Sequence, residues 1–417
     1  MQYIISPPDN LNTTVRLPAS KSISNRVLIL NALSMNAHPV VNLSDCEDTQ
    51  VMIDAFNSDS NVFDVKAAGT SMRFLTAFLS GVEGEWVLKG TPRMHERPIY
   101  PLVDTLRSID ADIEYLEKDG YPPIKIRGKK LTGGEVIVPG SISSQYISAL
   151  MMIAPTMSDG LIIDIENEII SQPYIELTKK LMEAYGAKVK WEKNRIEIKP
   201  QKYKPISFTV ESDWSAASYW YAMAAMSHDA EVTLLGLSRN SKQGDSNLVN
   251  LFSDLGVSTE FTDDGVVIRN TGKVTKKFFH NFINEPDLAQ TFTVVCCFLN
   301  IPFIFSGVQS LKIKETDRIA ALITEMKKFG FVLKETDSRM LEWDGELCFK
   351  EDNPVIDTYE DHRMAMSLSL AAMRYGSVVI NDPHVVGKSY PEFWNDLKSA
   401  GFKIEEKLKI TDNKTIS

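Results

Sequence analysis

One grammar recurs along this chain. Six times a small polar cluster opens an apolar stretch of helical length, a polar turn follows, and a run of β-branched residues comes next. The six are SKSISNRVLILNAL then PVVNL, AAGTSMRFLTAFLSG then EWVLKG, GSISSQYISALMMIA then LIIDI, SDWSAASYWYAMAAM then EVTLLG, EPDLAQTFTVVCCFL then PFIFSG, and YEDHRMAMSLSLAAM then SVVIND. Their polar clusters lie near residues 22, 70, 143, 215, 287 and 361, so the spacings are 48, 73, 72, 72 and 74. Between them run second helices such as YIELTKKLMEAYGAKV, leading through glycine into short strand pairs such as VKWEKNRIEIK. The predicted unit is therefore β-α-β-α-β-β, six times over. The first spacing is about 25 residues short, which predicts a first unit that has lost much of its second helix and hairpin. A doubly wound α/β sheet would show fewer hairpins and no period near 72. Six units divide into two lobes of three, with KPQKYKPISF (199–208) as the expected crossing.

The helix starts carry chemistry that helices do not ask for. A helix N-terminus holds roughly half a positive charge, so cations belong at the other end. Yet Lys21 and Arg26 crowd the first turns beside Ser22, Ser24 and Asn25, and His362 and Arg363 open the sixth helix as further cations. An anion bound at those ends would explain them.

Each motif alone has a plainer reading. Asp361, Asp287 and the SISSQ cluster (Ser143, Ser144, Gln145) serve equally as caps. Lys314 and Arg318, four apart on one helix face with Glu315 between them, serve as a solvated first turn. Arg93 and Arg97 in RMHERPI suit a surface loop, and Lys388 in DPHVVGKSYPEFW suits a solvated one. Jointly these readings fail, because cations and hydroxyls recur at equivalent points of a repeat. If the helix ends converge, the cations face one cleft and repel unless a polyanion joins them. Two phosphate-like groups and a carboxylate would suit them, with arginines giving bidentate contacts.

Composition narrows the class. At 417 residues, 43% hydrophobic and 24% charged, the chain reads as a soluble protein of two or three domains. A net charge of -10 argues against nucleic acid or a membrane surface as partner. Met1 to Asn10 lacks the basic start and apolar core of a signal peptide. TFTVVCCFLNIPFIFSGV is broken by Asn300, Pro302 and Gly307, so it reads as a buried helix turning into a strand and not as a membrane span. Cys46, Cys296, Cys297 and Cys348 form no CxxC pair, and the six histidines show no ligand spacing. Reduced thiols, a cytoplasmic location, no metal and no organic cofactor are expected. No GxGxxG or Walker loop is present.

LPASKSISNR, AAGTSMR, PRMHERPI, SISSQY, RNSKQGD, KIKETDR, YEDHRMAM and DPHVVGKSYPEFW together resemble the 5-enolpyruvylshikimate-3-phosphate (EPSP) synthase family, in order and over essentially the whole chain. The resemblance implies an inside-out α/β barrel of two lobes that close on substrates. One lobe would span 21–210 and the other 1–20 with 211–417. It implies transfer of the enolpyruvyl group of phosphoenolpyruvate to the 5-hydroxyl of shikimate 3-phosphate, without cofactor, in a monomer that glyphosate would target.

Carried over by position, Lys21, Arg97, Arg318, Arg363 and Lys388 would hold phosphoenolpyruvate beside Gln145 and the Gly69 backbone. Ser22, Arg26, Ser143, Ser144, Ser171, Tyr174, Ser310 and Lys314 would hold shikimate 3-phosphate, with Lys21, Gln145 and Asp287 also touching it. Asp287 would orient and deprotonate the 5-hydroxyl. Glu315 would shuttle the C3 proton, assisted by Lys21. The family's asparagine in G-N-A-G-T is Ala67 here, its asparagine before K-E-T-D-R is Ser310, and Ala19 replaces the glycine of L-P-G-S-K.

Two other readings remain at this point. One is transfer of enolpyruvyl to UDP-N-acetylglucosamine on the same fold, which uses a cysteine on a mobile loop; none of the four is so placed. The other is a non-catalytic anion-binding member, which would have no need of Asp287 and Glu315.

Overall fold

The six polar clusters open six helices in the computed structural model, which describes residues 1–35 and 38–408. They are α1 (Lys21–Leu33), α2 (Gly69–Ser80), α3 (Ser144–Ile153), α4 (Trp214–Met226), α5 (Ala289–Phe298) and α6 (His362–Ser369). Four start where a side chain accepts from a free backbone N–H: Ser20 from Ile23, Ser143 from Gln145, Asp213 from Ala216 and Asp361 from Arg363. Asp287 does not cap. It lies in a short 3₁₀ turn, Pro286–Leu288, ahead of α5.

In the second unit Val62–Asp64 and Gly84–Lys89 run parallel with α2 as their crossover. A second helix, Tyr100–Ser108, then leads into the antiparallel strands Asp112–Tyr115 and Ile124–Gly128. The resulting spatial order, first-second-fourth-third, recurs in all five four-stranded sheets. Two sheets borrow strands from the chain's beginning. Leu11–Arg16 runs parallel to Ala230–Leu235 as the first strand of the fourth unit. Gln2–Ser6 lies between Val378–Asn381 and Lys403–Lys407 and completes the sixth.

The first unit departs from expectation in one respect. Its sheet is only Val40–Val41 paired with Phe208–Thr209, so the hairpin is missing. Its second helix survives, however, as Glu47–Asn57. Val51 and Met52 bury one face of it, and Glu47 and Asp48 suit its positive end. The short spacing had to remove only the hairpin.

Two hydrophobic cores result. One gathers side chains from Ala19 to Val210; the other gathers Ile5 to Leu17 and Trp214 to Phe402. The chain passes between them where Ser20 N–H donates to the Glu211 carbonyl and Asp213 N–H to that of Pro18, both at 2.8 Å. Segment 199–208 is not that passage, because Tyr203 is buried in the first core with its hydroxyl on the Met152 carbonyl. Helix α4 is buried at every residue but Ser215, as an all-apolar helix must be. Strands such as Gly134–Pro139 alternate between covered and open positions. Helices thus form the inside of each half and sheets the outside.

Candidate active site

All six helix starts line one cleft between the two cores. Lys21, Ser22 and Arg26 come from α1, Gly69 and Thr70 from α2, and Ser143, Ser144 and Gln145 from α3. Asp213 and Ser215 come from α4, Asp287 from the turn before α5, and His362 and Arg363 from α6. Arg97, Ser171, Tyr174, Ser310, Lys314, Glu315 and Arg318 complete the wall. Of the site residues carried over from the family resemblance, Lys388 alone stands outside it. Lys388 lines an adjoining cavity with Ala67 and Glu360, and Asp48, Arg97 and Glu315 face both spaces. Its ammonium donates to the Glu360 carbonyl at 2.6 Å.

Lys314 and Glu315 are not on a helix face as the spacing predicted. The Asp317 carboxylate accepts from Ile319 and Ala320 N–H, so the helix begins only at Arg318. The preceding residues form a loop in the cleft wall. Arg318 is fully buried and forks onto Asp361, with Nε at 2.8 Å from one carboxylate oxygen. It also reaches Asp287 at 3.2 Å and Glu315 at 2.9 Å. Asp361 therefore does double duty, capping α6 and anchoring Arg318.

Asp287 is surrounded by donors. Arg363 reaches it at 3.0 Å, the Tyr174 hydroxyl at 3.1 Å and Lys314 at 3.9 Å. Burial would raise its pKa, but Arg363, Lys314 and Arg318 together hold it well below the usual carboxylate range. Glu315 follows the same logic: burial pushes up, Arg318 and then Arg97 pull down, and the carboxylate stays ionised. Lys21 pairs with Asp48 at 3.0 Å, and that contact overcomes burial and raises its pKa.

Arg26 and Arg97 are held without a carboxylate in contact. Arg26 donates to Thr178 at 2.7 Å, to the Ser22 carbonyl at 2.9 Å, and to Ser148 and the Tyr174 carbonyl at 3.3 Å. It thereby braces Ser22 and Tyr174, and burial brings its pKa down to about 10. Arg97 has Nε and Nη1 buried with no hydrogen-bond partner among the described residues. Burial first, and Arg73 next, lower it to about 10. A buried donor of this kind is costly unless something accepts from it.

His362 corrects the sequence reading. Burial, and then the charge of Lys21, push its pKa well below the ordinary value, so the ring is neutral and not a further cation. Asp48, Arg73, Asp213 and Asp245 were missed. Asp48 looked like an ordinary first-turn acid in CEDTQ; Arg73 bonds back to the Gly69 and Pro98 carbonyls. Asp213 had a usable signal, since it opens α4 as Asp361 opens α6. Asp245 accepts from the Ser215 hydroxyl, and burial followed by the charge of Asp287 raises it to about 7.

Among the described residues no group of three or more His, Cys, Asp or Glu side chains could hold a metal ion. No described helix is long and apolar enough to cross a membrane.

Fold and site define a two-lobed α/β enzyme with a cationic, carboxylate-bearing cleft, a class suited to proton transfer on small polyanions. Residues 5–59 and 53–397 match the model of the EPSP synthase (3-phosphoshikimate 1-carboxyvinyltransferase) family. A 3-phosphoshikimate 1-carboxyvinyltransferase of Bacteroides fragilis is 52% identical over 406 residues, covering 97% of this chain and 99% of that one. One from Aliivibrio fischeri is 36% identical over 429 residues, covering 94% and 98%. The solved EPSP synthase of Acinetobacter baumannii shares the fold, with a TM-score of 0.78 at 21% identity over 97% of this chain and 100% of its own. The chain belongs to the EPSP synthase family. With membership comes the family's activity, enolpyruvyl transfer to shikimate 3-phosphate in the shikimate pathway, and transfer to UDP-N-acetylglucosamine is not favoured.

Proposed function

We propose that the cleft works by addition and elimination, with Glu315 moving the C3 proton in both steps. The shikimate 5-hydroxyl oxygen bonds to C2 of phosphoenolpyruvate as C3 takes a proton. The tetrahedral intermediate then loses a C3 proton and its C–O bond to phosphate. In this reading Lys21, Arg97, Arg318, Arg363 and Lys388 hold phosphoenolpyruvate, with Gln145 and the Gly69 backbone beside it. Ser22, Arg26, Ser143, Ser144, Ser171, Tyr174, Ser310 and Lys314 hold shikimate 3-phosphate. Asp287 is a weak base among its donors, so its work is to align the 5-hydroxyl and accept its proton only as the new C–O bond acidifies it. The spans 21–210 and 1–20 with 211–417 act as closing lobes of a cytoplasmic monomer.

The observation that carries this reading is Arg97, whose buried Nε and Nη1 lack a partner among the described residues, beside Glu315 and Lys21 in the cleft wall. An anionic oxygen there would satisfy the arginine and offset the charge that keeps Glu315 ionised, leaving it free to carry a proton. Glu315→Gln keeps size and polarity but cannot exchange a proton. Binding of shikimate 3-phosphate should persist while kcat for phosphate release drops about 10²–10⁴-fold. Solvent deuterium should enter C3 more slowly in step. A wild-type exchange rate in the variant would move the shuttle to another group, with Lys21 the first to test.

A further inference from the structure

Arg93 and Arg97 share one motif but face different things. Arg97 points at the cleft. Arg93, on the short helix Pro92–His95, instead reaches out of the first half to main chain of the second. Its Nε donates to the Glu315 carbonyl at 3.1 Å and its Nη2 to the Lys314 carbonyl at 3.3 Å. Its third nitrogen, Nη1, pairs with Glu96 at 2.9 Å, so the guanidinium is held from its own side as well. The receiving peptide lies in the loop between the 3₁₀ turn Gln309–Ile313 and the helix that begins at Arg318. Neither carbonyl has a helical partner there, and the direction of that peptide sets where both side chains point.

We propose that Arg93 is a positioning residue for the reaction: its fork fixes the 314–315 peptide, and so aims Lys314 and Glu315, only when the two halves meet. Donors and acceptors come from opposite halves, so the bonds exist in the closed arrangement and break on opening. The proposal rests on the reading of Glu315 as shuttle. It makes proton transfer conditional on closure, because the shuttle is held in line by the half that faces it. Arginine suits the task because a planar fork reaches two adjacent carbonyls at once, and lysine does not.

The test uses the full chain with Arg93→Met, which keeps length and removes every donor, beside Arg93→Lys. In Arg93→Met kcat should fall about 10- to 100-fold, the range expected when a reacting group loses its alignment. KM for phosphoenolpyruvate should stay within about threefold, and KM for shikimate 3-phosphate should rise by less than kcat falls, because only the aim of Lys314 is lost. Exchange at C3 should slow in proportion, and Arg93→Lys should recover part of kcat through its single donor nitrogen. A wild-type kcat in Arg93→Met overturns the proposal. So does a KM rise that accounts for the whole loss, or a lowered melting temperature with unchanged turnover per folded enzyme. Glu315→Gln measured alongside separates the two readings: unchanged exchange there removes the shuttle, whereas unchanged kcat in Arg93→Met removes the positioning role.

Discussion

Asp245 and Asp287 are both buried in or behind the cleft wall, and their surroundings drive them in opposite directions. Asp287 has two arginines, a lysine and a tyrosine hydroxyl around it, and it stays ionised. Asp245 has the Ser215 hydroxyl on one oxygen, while its other oxygen is buried without a partner among the described residues. Burial, then the charge of Asp287, therefore raise it to about 7. The unfolded value is about 3.9. With the folded pKa the higher one, the stability this proton confers is fully present below about pH 4 and is lost as pH rises through about 7. Asp287 and Glu315, whose values are depressed, act oppositely: their contribution is present above about pH 4 and is lost as pH falls through their lowered pKa. Asp245→Asn has no proton to lose. Its stability relative to wild type should improve from pH 5 to pH 8, by on the order of 2–4 kcal/mol. Urea denaturation at the two pH values measures this, and an equal difference at both would rule it out.

At the scale of elements, the repeat was legible because it rests on periodicity, and periodicity survives in one dimension. Six polar clusters ahead of apolar helices, the last five spaced near 72, announced the units, and the polar residues at the helix starts announced the cleft. Partnerships were not legible. Nothing in CEDTQ distinguishes Asp48 from an ordinary first-turn acid, since its meaning comes from Lys21 at the start of the neighbouring helix α1. The strand exchange that places Leu11–Arg16 in the fourth sheet and Phe208–Thr209 in the first is likewise a matter of pairing. Gly69 shows the same limit. The resemblance sets the Gly69 backbone beside phosphoenolpyruvate, and a Cβ there would meet the Arg97 guanidinium at 2.7 Å. What must yield is the mobile end of a side chain, so Gly69→Ala should fold with nearly unchanged melting temperature. The displaced guanidinium should raise KM for phosphoenolpyruvate about tenfold, the cost of one charged hydrogen bond. Glyphosate, expected from the family resemblance at that same site, should lose potency with it. Shikimate 3-phosphate affinity should change little. Unaltered phosphoenolpyruvate and glyphosate affinities would mean that Arg97 does not hold phosphoenolpyruvate.

The whole molecule is two cores joined by two adjacent strands of chain and touching again across the cleft. The joining segments, Pro18–Ser20 and Glu211–Asp213, are bonded backbone to backbone, with the Ser212 hydroxyl on the Leu17 carbonyl and the Lys21 N–H on the Asp213 carboxylate beside them, a narrow crossing that suits a hinge. On the far side, contact is made by Arg93 on the 314–315 carbonyls, by Ser171 N–H on the Ile283 carbonyl at 2.7 Å, and by Tyr174 on Asp287. Seven cations line the cleft, with Lys21, Arg26, Arg73 and Arg97 from one half and Lys314, Arg318 and Arg363 from the other. Four carboxylates, Asp48, Asp213, Asp287 and Glu315, balance only part of that charge. Two unit charges 8 Å apart at an effective dielectric of 20 repel by about 2 kcal/mol, so closure without an anion works against a few such terms. A bound polyanion reverses their sign and draws the population shut. Small-angle scattering should therefore show a smaller radius of gyration with shikimate 3-phosphate and a phosphoenolpyruvate analogue than without them. In about 1 M salt, where the screening length is about 3 Å, the free protein should contract as well. If calorimetry shows both sites filled and the radius does not change, electrostatic repulsion is not what governs closure.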